Sequence, residues 1–258
     1  MNPSFRNQYE KAMAAIVSIL EKYHHDKKIP VMGFGAKYGG VVRHCFQCGR
    51  ELEADGLPGV LHAYRTVFQT GLVMSRPTVY KDVLEETAKR ATKSLADAQK
   101  RGSQAYTILL ILTDGAVSDV NETVECLNRI SDSPLSVIIV GVGDEDFEAM
   151  RYLDNSANGK LNRDIVKFVN FNKHAHSSQS LTRATLAEIP EQLVGYFQRQ
   201  NIEPLPAVFR GNDSMTNLDN APECEEVEEI ALSFNIEGDD SIVVMGKGDG
   251  FVCGFDAH

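Results

Sequence analysis

Several features that define common protein classes are missing from this chain. No apolar run approaches the roughly 18 residues that a membrane-crossing helix needs, and no secretory leader pattern opens the sequence. Basic residues are not in excess: 26 Lys and Arg stand against 36 Asp and Glu, for a formal net charge of −10. That balance argues against non-specific nucleic-acid binding, which needs a basic face. It argues equally against direct attraction to anionic lipid. It suits divalent cations or a basic partner. Cysteines number only 5, an odd and scattered set, which fits a reducing, cytoplasmic setting. The G-x-S-x-G elbow of hydrolases and the G-x-x-x-x-G-K-[ST] phosphate loop are both absent.

What is present reads as one sizeable α/β domain with a small appendage. The length of 258 residues, 43% hydrophobic and 24% charged content are ordinary for a soluble fold. The most informative stretch is Thr107–Asp114 (T-I-L-L-I-L-T-D) with Gly115 behind it. A continuous apolar run of this kind predicts a strand buried on both faces of a parallel sheet. Ligand sites in such sheets lie beyond the carboxyl ends of the strands, and Asp114 falls there. Ser136–Val142 predicts a second buried strand, with Val120–Ser131 as the crossover helix between the two.

Helical spacing predicts helices over Asn7–Lys27, Pro58–Thr70, Tyr80–Lys100 and Ala184–Gln200, the last kinked or restarted at Pro190. Glu145–Leu153 reads as a short helix. Pro30–Ala36 reads as a strand, with Val41–Phe46 as an edge partner, and Asp164–Phe171 as a strand at the sheet edge. After about residue 206 the composition shifts. Gly211–Glu229 is an acidic, apolar-poor linker within 207–229. Residues 230–258 hold three short β-type runs, Ile230–Ile236, Ser241–Met245 and Phe251–Phe255, separated by turn sequences.

Some motifs have ordinary readings. Cys45 and Cys48 form a lone C-x-x-C beside His44, and no second cysteine pair follows to complete a four-ligand zinc site. Two unreactive thiols are expected. His24, His25, His174 and His176 sit in surface-like contexts. The glycines at 33, 35 and 39 miss the dinucleotide spacing, and predict a tight turn instead. Asp144, Glu145 and Asp146 stand where a helix opens, a place that favours acidic residues.

Seven segments, taken in order, resemble the A domain of copines, which is similar to von Willebrand factor type A domains. They are G-F-G-A (33–36), P-T (77–78), L-L-I-L-T-D-G (109–115), P-L-S-V-I-I-V-G-V-G (134–143), D-F-E-A-M-R-Y-L-D (146–154), R-D-I-V-K-F-V (163–169) and L-A-E-I-P-E-Q-L-V-G-Y-F (186–197). The resemblance covers residues 2–206. It implies an open, mostly parallel, doubly wound sheet with helices on both faces. It also implies a metal-ion-dependent adhesion site at the strand ends, in which Thr78 matches the second ligand loop and Asp114 the third. The wider rim expected to meet partners comprises Gly35, Pro77, Thr78, Asp114, Gly115 and Asp119. The ordinary readings stay open beside these: Asp114 as a turn residue, Thr78 as an N-cap for the Tyr80–Lys100 helix, and Asp119 as the cap of the Val120–Ser131 helix with Glu122 in its first turn.

The family's first ligand loop, and the strand leading into it through the centre of the sheet, have no counterpart in this sequence. One hydroxyl and one carboxylate are too few for a divalent ion, which takes about six oxygens. The expectation is therefore no tightly bound cofactor, and at most weak magnesium, manganese or calcium. An unfilled gap in the sheet predicts exposed edges and self-association, unless Ser241–Met245 serves as a surrogate strand. The function expected from the resemblance is a non-catalytic domain that recruits partner proteins through its strand-end rim. Calcium-dependent phospholipid binding, with peripheral plasma-membrane association, is implied for the full-length family and not for this cytoplasmic chain alone. The competing reading is an α/β hydrolase or phosphotransferase using Asp114.

Overall fold

A computed structural model describes residues 6–23, 27–38, 40–75, 77–115, 117–160, 162–205, 242–245 and 251–257. The proposed linker 211–229 and the run 230–236 lie outside the described residues. The first helix, α1 (Gln8–Leu20), begins in a capping box. Asn7 Oδ1 accepts from Glu10 N at 2.9 Å, and Glu10 Oε2 accepts from Asn7 N at 3.0 Å. Its apolar stripe Met13, Ile16, Val17 and Leu20 is fully buried. The helix stops well before the expected Lys27. A single 3-10 turn, Glu21–Tyr23, follows, and Lys27 takes a left-handed φ of 57° to enter β1 (Lys28–Gly33).

Then follow β2 (Ala36–Tyr38), β3 (Val41–Arg43), β4 (Phe46–Gln47), β5 (Glu53–Asp55), α2 (Gly56–Val67) and β6 (Val73–Met74). The central part comprises α3 (Lys81–Lys100), β7 (Tyr106–Thr113), α4 (Val120–Ile130), β8 (Leu135–Gly141), α5 (Glu148–Lys160) and β9 (Val166–Asn170). Three helices, α6 (Phe171–His174), α7 (Ser178–Leu186) and α8 (Ile189–Arg199), precede two tail strands, β10 (Ile242–Met245) and β11 (Phe251–Ala257). Pro190 starts α8 afresh: it sits in the first turn, where its missing N–H has no helical partner to lose.

The fold is α/β, an open and mostly parallel sheet wound on both faces. β7, β8 and β9 run parallel in consecutive register, with Thr107 opposite Leu135 and Val137 opposite Val166. β10 lies parallel to both β1 and β7; β11 runs antiparallel to β1, β7 and β10. β9 closes one end of the sheet order. Alternation along β7 splits the core in two. Ile108, Leu110 and Leu112 pack with α1 and α2, while Leu109 and Ile111 pack with α3, α4 and α5. A strand covered on both faces has no polar side to show, which is why Tyr106–Thr113 reads as one apolar run.

One strand differs from the sequence reading. Val41–Phe46 is not a single edge strand beside β1. Gly35 takes a φ of 63° and turns the chain out of the main sheet after β1. β2 then pairs antiparallel with β3 on one side and β6 on the other. Phe46–Gln47 alone returns to pair with β1.

The amino ends of the central strands are tied by Arg163, only 8% exposed. Its Nε donates to Ser131 O at 2.9 Å. Nη1 donates to Tyr106 Oη at 3.0 Å and Gln192 O at 2.8 Å; Nη2 donates to Ser133 O at 2.7 Å and Leu135 O at 2.9 Å. All five donors of the guanidinium are used. It also stands over the Tyr196 ring at 5.3 Å from the centroid. One side chain thus joins the end of α4, the start of β8, β7 and α8.

Candidate functional site

The rim forms where the main sheet ends at Gly33 and Thr113. Gly35 leads away from β1, and its carbonyl accepts from Ser75 N at 2.8 Å. That bond anchors the segment bearing Pro77 and Thr78 beside the end of β1. Pro77 is exposed, whereas Thr78 is 1% exposed. A reciprocal pair then fastens Thr78 to the next loop. Thr78 N donates to Ser118 Oγ at 3.1 Å, and Ser118 N donates to Thr78 O at 3.0 Å. The Pro77–Thr78 segment is thereby fastened to Ser118, which precedes Asp119.

Asp114 and Gly115 follow β7 directly. Thr113 Oγ1 accepts from Tyr80 Oη at 2.9 Å and from Gly115 N at 3.2 Å. Gly115 has a φ of 110°, and a Cβ there would stand 3.0 Å from Asp146 O and 3.3 Å from the Phe147 ring. Glycine is required at this turn on both counts. Asp119 is half-buried. Its Oδ1 accepts from Thr123 Oγ1 at 3.3 Å. Burial raises its carboxyl above the ordinary value and Glu122 adds to this, while the Thr123 hydroxyl and the nearby His44 oppose it. Thr78 Oγ1 and Asp119 Oδ2 are both buried oxygens with no hydrogen-bond partner among the described residues.

Two capping roles do not hold. Thr78 is not the N-cap of α3: Tyr80 occupies that position, its carbonyl accepting from Leu84 N at 2.9 Å, and no side chain caps it. The backbone of Thr78 is committed to Ser118 instead. Asp119 does occupy the N-cap position of α4, but its side chain makes no cap hydrogen bond and turns to Thr123. Glu122 does lie in the first turn of α4, paired with Lys81 at 2.7 Å across to α3. Sequence reasoning missed Ser118 and His44. Ser118 carried a weak signal, a hydroxyl three residues beyond Gly115. His44 carried none, because only the fold brings the β3–β4 connection near Asp119.

The family description "Copine" matches residues 1–205. The chain belongs to the copine family. Copine-E of Dictyostelium discoideum is 41% identical over 211 residues, which cover 78% of this chain and 36% of that protein. Copine-B of the same organism is 42% identical over 212 residues, 79% of this chain and 39% of that protein. Protein BONZAI 1 of Arabidopsis thaliana is 36% identical over 219 residues, 80% of this chain and 37% of that protein. This copine-family chain thus spans little more than a third of the length of these relatives.

The metal site that the copine resemblance implies can be tested against the donors present. Thr78 Oγ1 and the Asp119 carboxylate are hard oxygens of the right type, and Asp114 follows the end of β7 directly. Yet no group of three His, Cys, Asp or Glu side chains able to hold an ion occurs among the described residues. Ser118 Oγ is already engaged by Thr78 N. The described donors fall short of the roughly six oxygens a divalent ion takes, so they do not by themselves fit a tight site.

The remaining sequence candidates lie elsewhere. Burial pushes the Cys45 thiol up to about 12 and Cys48 higher still. Such thiols are poor nucleophiles and poor ligands. Asp146 Oδ1 accepts from Glu148 N at 3.0 Å and Arg151 Nη2 at 2.9 Å, and so serves the opening of α5. His174 Nδ1 lies 2.9 Å from Ser180 Oγ. A groove of about 440 Å³ runs between Met32, Cys45, Phe46 and the α3 residues Glu85 and Glu86. None of the rim residues lines it. No described helix is long and apolar enough to cross a membrane.

Proposed function

We propose that this copine-family chain is a non-catalytic interaction domain whose strand-end rim receives a cationic group of a partner protein. The observation that carries this reading is the pair of buried oxygens, Thr78 Oγ1 and Asp119 Oδ2, which have no hydrogen-bond partner among the described residues and flank the Thr78–Ser118 clamp. A buried carboxylate oxygen without a donor is unfavourable, and a lysine or arginine of a partner supplies one. The net charge of −10 favours encounter with a basic surface. Selection of a displayed random peptide library on the chain tests this. Peptides bearing Lys or Arg are expected to be enriched, and to bind at least about tenfold less tightly to Thr78→Ala or Asp119→Asn, the loss of one charge-assisted contact. Enriched peptides that bind the variants and the wild type equally would refute the rim assignment.

The same reading gives magnesium or manganese no tight place, with affinity no better than about millimolar for so few ligands. Calorimetric titration that found a micromolar site lost in Asp114→Ala would overturn this. Residues 1–258 are also expected to stay in the supernatant with phosphatidylserine vesicles, with or without calcium, since the net charge is repelled by anionic lipid. The enzymatic alternative predicts turnover of generic phosphate esters or nucleotides that disappears in Asp114→Asn. We expect none.

A further inference from the structure

β7 is buried at every residue. A bare edge on it would leave backbone N–H and C=O groups in the core without partners. The edge facing β1 is instead paired, and paired twice. Leu109 is the register partner of Ile242 in β10 and of Gly254 in β11; Leu112 is the partner of Met245 and of Phe251. On the far side Val31 is opposite both Val243 and Cys253. One side of a strand can hydrogen-bond only one neighbour at a given residue. The two tail segments therefore contend for a single place.

We propose that the gap between β1 and β7 is a strand-acceptor slot, and that its occupant is this chain's own segment Ile242–Met245. This inference stands apart from the rim reading and does not depend on it. Orientation favours β10: it continues the parallel order of β1, β7, β8 and β9, in step on both sides, from Val31 opposite Val243 to Gly33 opposite Met245 and from Leu109 opposite Ile242 to Leu112 opposite Met245. Composition favours it too. Ile-Val-Val-Met is the uninterrupted apolar run that a strand covered on both faces requires. β11 would place an acidic residue, Asp256, opposite Thr107 and a glycine, Gly254, opposite Leu109. A strand-interior glycine has no side chain to pack, and Asp256 interrupts the apolar run that such a strand requires. β11 is thus the antiparallel claimant to the same edge, and it pairs with β10 as well, Val243 opposite Cys253 and Val244 opposite Val252. Strand addition to an open edge is a general docking mode, and here the domain is completed by a segment of its own tail.

The test compares Val244→Pro with Val252→Pro in the full chain. Proline in a central strand removes a ladder donor, so Val244→Pro is expected to lower the melting temperature by about 10 °C and Val252→Pro by less than half of that. Hydrogen exchange of the wild type gives a second readout that does not require a folded variant. The amides of Ile242–Met245 are expected to be protected together with those of β7. Exchange of Ile242–Met245 at unfolded-chain rates would overturn the proposal. So would a Val252→Pro variant less stable than Val244→Pro, which would make the antiparallel segment the occupant. Light scattering over a hundredfold range of concentration is expected to show a monomer. A concentration-dependent dimer that Val244→Pro abolishes would mean that the slot is filled by a second copy, and would overturn the assignment to the chain's own tail.

Discussion

Replacing Arg163 should cost more stability than any rim substitution. Its guanidinium reaches five acceptors on four elements at 2.7–3.0 Å, and none of these acceptors is a carboxylate. Arg163→Met keeps most of the volume but leaves four carbonyl oxygens and the Tyr106 hydroxyl without their donor. Hydrogen bonds to charged groups contribute about 1.5–3 kcal/mol each, so a simple sum gives about 7–15 kcal/mol. That equals the whole stability of a typical domain and overshoots, because relaxation and entering water recover part of it. The acceptors left behind are neutral, and one or two that stay buried without a donor, at about 1–3 kcal/mol each, give an expected loss of about 3–5 kcal/mol. In a chain of this size it corresponds to a fall of about 10 °C in melting temperature. Urea unfolding followed by circular dichroism, with an unchanged m-value, measures it. Arg163→Lys retains the charge but offers three donors from a point rather than five from a plane, so an intermediate loss of about 2 kcal/mol is expected. A Met variant within 1 kcal/mol of wild type, or a Lys variant equal to wild type, would refute the view that the directed donors hold the strand ends.

Asp119→Asn should stabilise the chain slightly at neutral pH, by less than about 1 kcal/mol since the group is partly solvated. Its folded-state pKa is raised, mainly by burial, so the native state holds the proton more tightly than the unfolded chain. Stability from this group falls as pH rises from its ordinary value through the raised one, and pH-dependent urea melts of the two proteins should diverge above about pH 4. Gly141→Ala should cost about 1–3 kcal/mol by overpacking, because the new Cβ would stand 2.7–2.8 Å from the buried Phe147 ring. Thermal melts would contradict this if the alanine protein matched wild type. Cys45, Cys48 and Cys126, the last raised to about 11 chiefly by burial, should alkylate on the order of a hundredfold slower at pH 8 than after unfolding. Peptide mapping that found Cys45 or Cys48 labelled at the unfolded rate would reopen the redox reading of the C-x-x-C.

The sequence by itself determined the central α/β unit. Buried parallel strands must be apolar along their whole length, so Thr107–Asp114 and Ser136–Val142 announced themselves, and helical spacing marked α3 and α4 between and around them. Glycine punctuation located the strand-end turns, and the ordered motifs pointed to the copine family over residues 2–206, where the family match covers 1–205. What the sequence did not carry was every relation between distant residues. After the turn at Gly35, β2 pairs with β6, Ala36 opposite Met74, a partner far along the chain. The Thr78–Ser118 clamp commits the Thr78 backbone across the rim, and Tyr80 rather than Thr78 stands at the N-cap of α3, a choice that no local pattern announces. The nearness of His44 to Asp119 has no local signature at all. The apolar character of Ser241–Met245 already made it the candidate for the gap in the sheet, but its register against β1 and β7 is tertiary. A four-residue apolar run states what it needs, which is burial on both faces, but not in which register that need is met; the facing edges of β1 and β7 set the register.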